Sequence, residues 1–262
     1  MFDLVDPIFV GGGLALGVFV GILLFLSIGR WIGQRVIGSH GSSQANISSL
    51  EGAVFALMGL LIAFTFSGAL QRFDLRRAQA VDEANAIGTA YLRIDLLPAA
   101  AQPTLRDTMR DYVDSRIATY RKFPDVAAAR AEVTRSQALQ SELWAQAVAA
   151  VRLPDSRPGA ELLVMPALNS MFDVTTVRLV ATQIHPPNII YAMLIGLALA
   201  AALLSGYQSA VEKAHDWVHR LGFAAIIALT VYVIIEIEHP RAGWVRIDAI
   251  DQVLVDARNG MK

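Results

Sequence analysis

The chain has 262 residues, of which 55% are hydrophobic, and it contains no cysteine. This apolar fraction exceeds that of ordinary soluble domains and indicates that much of the chain lies in a lipid bilayer. The net charge of −1 gives no reason to expect a nucleic-acid partner. Without cysteine, disulfides, thiolate catalysis and cysteine-ligated metals are excluded.

The first apolar block, residues 8–29, is uncharged and 22 residues long, close to the length of about 20 residues that a helix needs to cross a bilayer. Arg30 and Arg35 follow it, and no basic segment precedes it, so we expect a retained span rather than a cleaved signal peptide. Glycines recur at every fourth position, at Gly13, Gly17 and Gly21. They either form a face against which another helix packs or reflect only the high glycine content that is usual in membrane helices.

The second apolar block, residues 52–70, predicts a helix that continues well beyond the membrane. Ser48 and Glu51 have the spacing of a capping box, which predicts a helix start near Ser49. Beyond residue 70, apolar residues recur at steps of three and four, with Arg77 where one is missing, and no proline occurs before Pro98. The periodic positions are Phe73, Ala80, Ala84, Ile87, Tyr91 and Ile94. We therefore predict one unbroken helix over residues 49–97.

Residues 71–187 read as a four-helix soluble insert that is continuous with the second span. They hold 14 basic and 13 acidic residues, which makes the insert polar and almost neutral. Pro103, Pro124 and Pro158 mark the boundaries of three further helices, over residues 103–122, 125–151 and 159–184. The expected buried side of the first is Leu105, Met109, Tyr112, Val113, Ile117 and Tyr120, and that of the last is Leu162, Met165, Leu168, Phe172 and Val180.

Two more apolar blocks follow, over residues 188–206 and 221–237. Glu236 lies in the last turn of the fourth span, where a carboxylate requires a partner, a water-filled cavity or access to the interface. The predicted fold is an all-α integral membrane protein with four spans in two pairs. Its predicted parts are residues 1–70, the insert 71–187, residues 188–238 and a C-terminal tail 239–262.

Basic residues near the span ends give a small preference for one orientation. Six lie on the side of the insert and four on the other, which favours a cytoplasmic insert with both termini on the same side. The six are Arg72, Arg76, Arg77, Arg178, Arg241 and Arg246, and the four are Arg30, Arg35, Lys213 and Arg220.

Several segments resemble one known family. They include EGAVFALMGLLIAFTFS from Glu51, RFDLRR from Arg72 and DEANAIGTAYLR from Asp82, followed by PALNSMFD, HPP, LSGY and EHPRAG later in the chain. These segments resemble the bestrophin-like domain family of uncharacterised bacterial membrane proteins. The likeness covers most of the chain and implies a place in the bacterial inner membrane.

The order of the parts also resembles, more distantly, the bestrophin anion channels. That resemblance implies a homo-oligomer, in bestrophins a pentamer, whose second spans surround a pore for small inorganic anions such as chloride, with a cytoplasmic insert. The sequence departs from bestrophins because it lacks the acidic calcium-clasp cluster and has alanine and threonine among the neck aromatics. Calcium gating is therefore not implied.

The pore residues expected from this resemblance lie on the second span. Leu57, Leu61, Phe64 and Gly68 form one helical stripe, and Met58, Ile62, Phe66 and Ala69 approximate another. Either stripe could face a pore axis, lipid or a neighbouring helix. Arg72 and Arg76 share a face just beyond the span and suit either an anion-attracting mouth or a headgroup anchor.

The remaining polar residues give little support for an enzyme. His215 and His219 are four residues apart, near Glu212 and Asp216, and form a weak metal-site candidate or simply a solvated turn. No phosphate-binding glycine loop, zinc-binding His-Glu-x-x-His helix or nucleophile elbow occurs. We expect no enzyme and no cofactor. Two functions stay open: an oligomeric ion channel, or a non-conducting membrane scaffold or sensor whose insert binds a protein.

Overall fold

The computed structural model describes residues 7–37, 44–123, 125–210, 217–241 and 247–261. Within these ranges the regular structure is entirely helical and contains no β-strand, which confirms the all-α part of the predicted fold class. The α-helices are α1 (Pro7–Ile37), α2 (Gln44–Arg93), α3 (Gln102–Arg121), α4 (Val126–Val151), α5 (Ala160–Ala181), α6 (Asn188–Gln208), α7 (Trp217–Glu238) and α8 (Asp248–Asn259).

Four of these helices, α1, α2, α6 and α7, are long and apolar enough to cross a membrane, as predicted. Helix α1 continues beyond the apolar span predicted over residues 8–29 and ends at Ile37. The predicted start of the second helix is wrong. Helix α2 begins at Gln44, so Ser48 lies one turn inside it and the predicted capping box does not start it.

Helix α2 is unbroken from Gln44 to Arg93, and a short 3₁₀ turn follows over Ile94–Leu96. The predicted continuous helix is thus confirmed as far as Arg93, four residues short of the predicted end, and Pro98 lies two residues beyond the 3₁₀ turn. The chain forms two compact units whose boundary falls within this helix. The first comprises Met1–Arg72 and His185–Trp244, and the second comprises Phe73–Ile184 and Val245–Lys262.

In the first unit, α1 packs against both α6 and α7. Glycines allow the α1 and α6 backbones to touch, because a Cβ on Gly29 would lie 2.0 Å from the Leu203 carbonyl oxygen and one on Gly206 would lie 2.1 Å from that of Leu26. Of the two alternatives for the predicted glycine stripe, packing against another helix of this chain does not occur at Gly13 and Gly17, beside which a Cβ would meet nothing within 4 Å. A Cβ on Gly21, the third member of that face, would lie 3.2 Å from the Leu199 side chain.

The second unit has a core built from α2, α3, α4, α5 and α8. The predicted buried side of α3 is confirmed, with Ile117 partly buried. On α5, Leu168 is buried as predicted, but Leu162 and Val180 are exposed. Helix α8 packs against α3 through buried Leu254 and through Arg258, whose Nε and Nη2 donate to Asp114. The C-terminal residues therefore complete the core of the insert.

Candidate functional site

The stripe predicted to line a pore lies on the outer side of α2. Phe64 is 68% exposed and Leu57 is 53% exposed, while Leu61 and Gly68 are half-buried. The other stripe is packed into the protein at Met58 and Ala69, and Thr65 beside them is also buried. The face of α2 that carries Phe64 is therefore available to lipid, to other copies of the chain or to a pore.

Arg72 lies one turn beyond this stripe and forms an ion pair with Glu238 at the end of α7. Its Nε is 3.0 Å from both carboxylate oxygens, and its Nη2 is 2.8 Å from Oε2. Glu238 is fully buried, whereas the Arg72 side chain is 27% exposed. The guanidinium also lies over Gly68, where a Cβ would be 3.3 Å from its Nη1. Gly68 therefore leaves room for this arginine.

Two histidines complete this group, which we call the Arg72 cluster: Arg72, His185, Glu238 and His239. The His185 Nδ1 lies 3.2 Å from the Glu238 Oε1, and the two imidazole rings have centroids 4.6 Å apart. The HPP and EHPRAG segments, which the sequence shows only as helix ends, thus meet at one place. In the predicted topology both segments lie at the ends of spans, on the same side of the membrane as the insert. That shared position was the signal that could have linked them.

The other sequence-predicted charges have separate environments. Arg76 is buried, and its Nε and Nη2 donate to the Ala181 and Ile184 carbonyl oxygens at 3.2 and 3.1 Å, at the C-terminal end of α5. Guanidinium donors at a helix C-terminus satisfy carbonyls that lack helical partners. Glu236 is buried in α7 and interacts with the hydroxyl of Tyr232, one turn earlier. The structure does not place Arg76 or Glu236 in the Arg72 cluster.

The two histidines of the weak metal-site candidate lie around the start of α7 in the sequence. His215 lies outside the described residues, as do Glu212 and Asp216, and His219 lies in the first turn of α7. Among the described residues, no group of three or more histidine, aspartate or glutamate side chains is arranged to hold a metal ion.

A second charged group, which the sequence did not predict, lies within the insert. Glu83 on α2 is fully buried, and its two carboxylate oxygens accept from the Arg116 Nε at 2.6 Å and from the Arg178 Nη1 at 2.5 Å. The Tyr120 hydroxyl donates to the same carboxylate at 3.2 Å. Arg178 also pairs with Asp251 on α8 and lies over the Tyr120 ring. We call this the Glu83 cluster: Glu83, Arg116, Tyr120, Arg178 and Asp251.

Both arginines of the Glu83 cluster stay charged. Burial by itself would lower the pKa of Arg116 and of Arg178, but Tyr120 and Glu83 raise each pKa above its ordinary value. The formal charges of the two arginines and the two carboxylates cancel. One donor, the buried Nη1 of Arg116, has no hydrogen-bond partner. Arg77 occupies the missing position of the predicted apolar stripe on α2 but is exposed, whereas Arg76 and Glu83 lie on the buried side of the helix. This interruption of the apolar stripe was the signal in the sequence that charged residues are buried here.

We expect Arg72 and Glu238 to be energetically coupled. A double-mutant cycle with Arg72→Ala and Glu238→Ala, measured by chemical unfolding of the full chain in detergent, should give a coupling above about 1 kcal/mol because the carboxylate is fully buried. The control is the exposed pair Asp74 and Arg77 on the same helix, whose coupling should be close to zero. Equal coupling for the two pairs would contradict the prediction.

Four helices that are long and apolar enough to cross a membrane indicate a helical membrane protein. Comparison with models of protein families gives a match to the bestrophin-like domain over residues 20–250. The chain therefore belongs to the bestrophin-like domain family. Comparisons with curated proteins and with solved structures gave no match.

Proposed function

We propose that the chain is a homo-oligomeric membrane channel of bestrophin-like type that conducts small anions. The observation that carries this proposal is the apolar stripe of Leu57, Leu61 and Phe64 on α2, in which Leu57 and Phe64 are exposed, while Met58 and Ala69 on a neighbouring face of the helix are buried. When several copies share an axis, such a stripe forms an apolar ring that excludes water and closes a pore. A single copy has no closed ring, so the function requires assembly.

The Arg72 cluster supports the preference for anions. It lies one turn beyond the proposed constriction and holds one carboxylate against one arginine and two histidines, so its net charge is zero or positive. The Arg72 side chain keeps 27% of its surface exposed despite its ion pair. A ring of such clusters would attract anions to the mouth of the pore or at least not repel them. Arg76, which is buried, would instead hold the end of α5 in place.

Exposed apolar residues on the insert support assembly as well. Leu92 is 70% exposed and Leu162 is 73% exposed, and the Arg93 Nη1 donates to the Leu163 carbonyl oxygen at 2.7 Å, which links the segments of α2 and α5 that carry them. We call Leu92, Leu162 and Leu163 the insert patch. Side chains of this size are usually covered when they cluster. The insert patch also favours the alternative function, a non-conducting scaffold whose insert binds another protein.

Oligomeric state and ion flux together test the proposal. Native mass spectrometry of the detergent-purified chain should show an assembly of several copies, and liposomes containing it should release chloride faster than empty liposomes. The variant Phe64→Arg is reconstituted in the same way, and it should change the flux because it places charge in the apolar ring. A monomer, or an assembly that carries no flux, would favour the scaffold.

The predicted orientation can be tested by cysteine labelling, because the natural chain contains no cysteine. A cysteine replacing Ala127, which is exposed on α4, should resist an impermeant maleimide in intact cells and react after lysis. The control is Ser43→Cys, in the segment between the first two spans, which should react in intact cells. The reverse labelling pattern would place the insert outside the cytoplasm.

A further inference from the structure

Two polar side chains, Ser67 and Gln71, lie on the exposed surface of the second span. Residues 52–71 carry no charge, and the structure describes all of them. Ser67 and Gln71 are exposed, whereas Thr65, which also carries a hydroxyl group in this stretch, is buried. Lipid hydrocarbon cannot hydrogen-bond a polar side chain, so polar groups within a span usually face protein or water. The exposed polar pair therefore requires a partner that lipid does not supply.

Both residues lie on the face of α2 that carries Phe64. Leu60, Phe64, Ser67 and Gln71 follow one another at steps of four, three and four residues. With that spacing they lie within about 60° of one another around the helix, and Ser67 and Gln71 lie about 5 and 10 Å beyond Phe64 along its axis. Leu60 is 53% exposed and Phe64 is 68% exposed. One exposed face of α2 thus changes from apolar to polar directly after Phe64.

Ser67 and Gln71 hydrogen-bond to each other rather than to the helix backbone. The Gln71 Nε2 lies 3.2 Å from the Ser67 Oγ. The Thr65 hydroxyl, in contrast, donates to the Leu61 carbonyl oxygen at 2.7 Å, which is the common arrangement for a hydroxyl inside a span. In the part of the chain that the structure describes, the Ser67 hydroxyl donates to no backbone carbonyl. The polar groups of the pair are therefore not taken up by their own helix.

The pair offers two hydrogen-bond donors whichever way the Gln71 amide is oriented. If the amide nitrogen donates to the Ser67 oxygen, the hydroxyl proton and the second amide proton stay available. If instead the amide oxygen accepts from the hydroxyl, both amide protons stay available. Several copies of the chain around one axis would place a ring of these neutral donors beyond the apolar ring. Such polar dipoles are one of the elements from which channels build a selective site.

We propose that Ser67 and Gln71 coordinate the permeant anion directly beyond the constriction at Phe64. The inference rests on the proposed function, because it requires several copies around one pore axis. An anion that passes an apolar ring loses part of its hydration shell, and the hydroxyl and amide donors then replace the lost water contacts. The next positive charge, Arg72, is already paired with Glu238. The donors closest to the constriction are thus neutral, which suits a small monovalent anion such as chloride that has to leave the site again.

Single-channel recording in planar bilayers under a potassium chloride gradient tests this site. The reversal potential of the natural chain should lie near the chloride equilibrium potential. Replacing both residues, with Ser67→Ala and Gln71→Leu, should lower the chloride conductance about tenfold, because hydrogen bonds to a charged ion are lost. Gln71→Glu should move the reversal potential toward that of potassium. The matched control is Thr65→Val, which removes a hydroxyl from the buried face of the same span and should change neither quantity.

Native mass spectrometry of each variant separates coordination of the ion from assembly of the copies. A lower conductance in an assembly with the natural number of copies supports the inference. If the double variant does not assemble, Ser67→Ala alone should still lower the conductance, and Ser67→Thr, which keeps the hydroxyl, should not. A natural chain that does not conduct would overturn the proposed function together with this inference. Conduction that Phe64→Ala raises, but that the Ser67 and Gln71 variants leave unchanged, would overturn this inference alone.

Discussion

Replacing Glu83 by alanine is expected to lower the free energy of unfolding by about 3–5 kcal/mol, because the change leaves Arg116 and Arg178 buried without their carboxylate. Arg116 is fully buried and Arg178 is 3% exposed, so water cannot readily take the place of the lost carboxylate. The measurement is guanidinium unfolding of the full chain in detergent, followed by circular dichroism at 222 nm. This is the largest stability effect that we expect from a single substitution in the insert.

Two comparisons separate the loss of the buried charge from a general sensitivity to substitution. Asp107→Ala breaks an exposed ion pair with Arg110 on α3 and should change stability only slightly. Replacing Glu83, Arg116, Arg178 and Asp251 together by leucine, methionine, methionine and asparagine should cost less than Glu83→Ala alone, because no charge of the cluster is then left without its partner. If Glu83→Ala were as mild as Asp107→Ala, the described Glu83 cluster would be wrong.

Replacing Phe64 by alanine is expected to increase chloride flux severalfold in liposomes. In the proposed assembly Phe64 is the bulkiest side chain of the apolar stripe, and its removal from every copy would widen the ring and allow water to enter it. Leu61→Ala should act in the same direction with a smaller effect, because it removes less volume. The rate of chloride release is compared at equal amounts of reconstituted protein.

The matched control is Phe66→Ala on the same helix. Phe66 is also exposed, at 38%, but it lies two residues further on and is therefore about 160° around the helix from Phe64. Its replacement should leave the flux unchanged. If Phe66→Ala raised the flux as much as Phe64→Ala, the constriction would lie elsewhere. If neither changed a measurable flux, the scaffold would become the better explanation.

The local pattern of the sequence was sufficient to predict which segments are helical. The four apolar blocks, the polar continuation of α2 and the proline-bounded helices of the insert all follow from interactions within about four residues of one another. Such interactions decide whether a segment is helical and which side of it is apolar. For that reason the unbroken course of α2 and the buried side of α3 were predicted correctly, while the start of α2 at Gln44 was not.

The partners of the charged residues were decided only by the tertiary structure. Glu83 meets Arg116 and Arg178, which are 33 and 95 positions away, and Arg72 meets Glu238 at 166 positions. No helical period relates such distant positions, and the choice of partner depends on which helix faces pack together. The same holds for Gly29 and Gly206, which are indistinguishable in sequence from Gly13 and Gly17 until α1 and α6 are brought into contact. Helical period and apolar length act along the chain, whereas the ion pairs, close glycine contacts and unsatisfied donors arise only where separate helices meet.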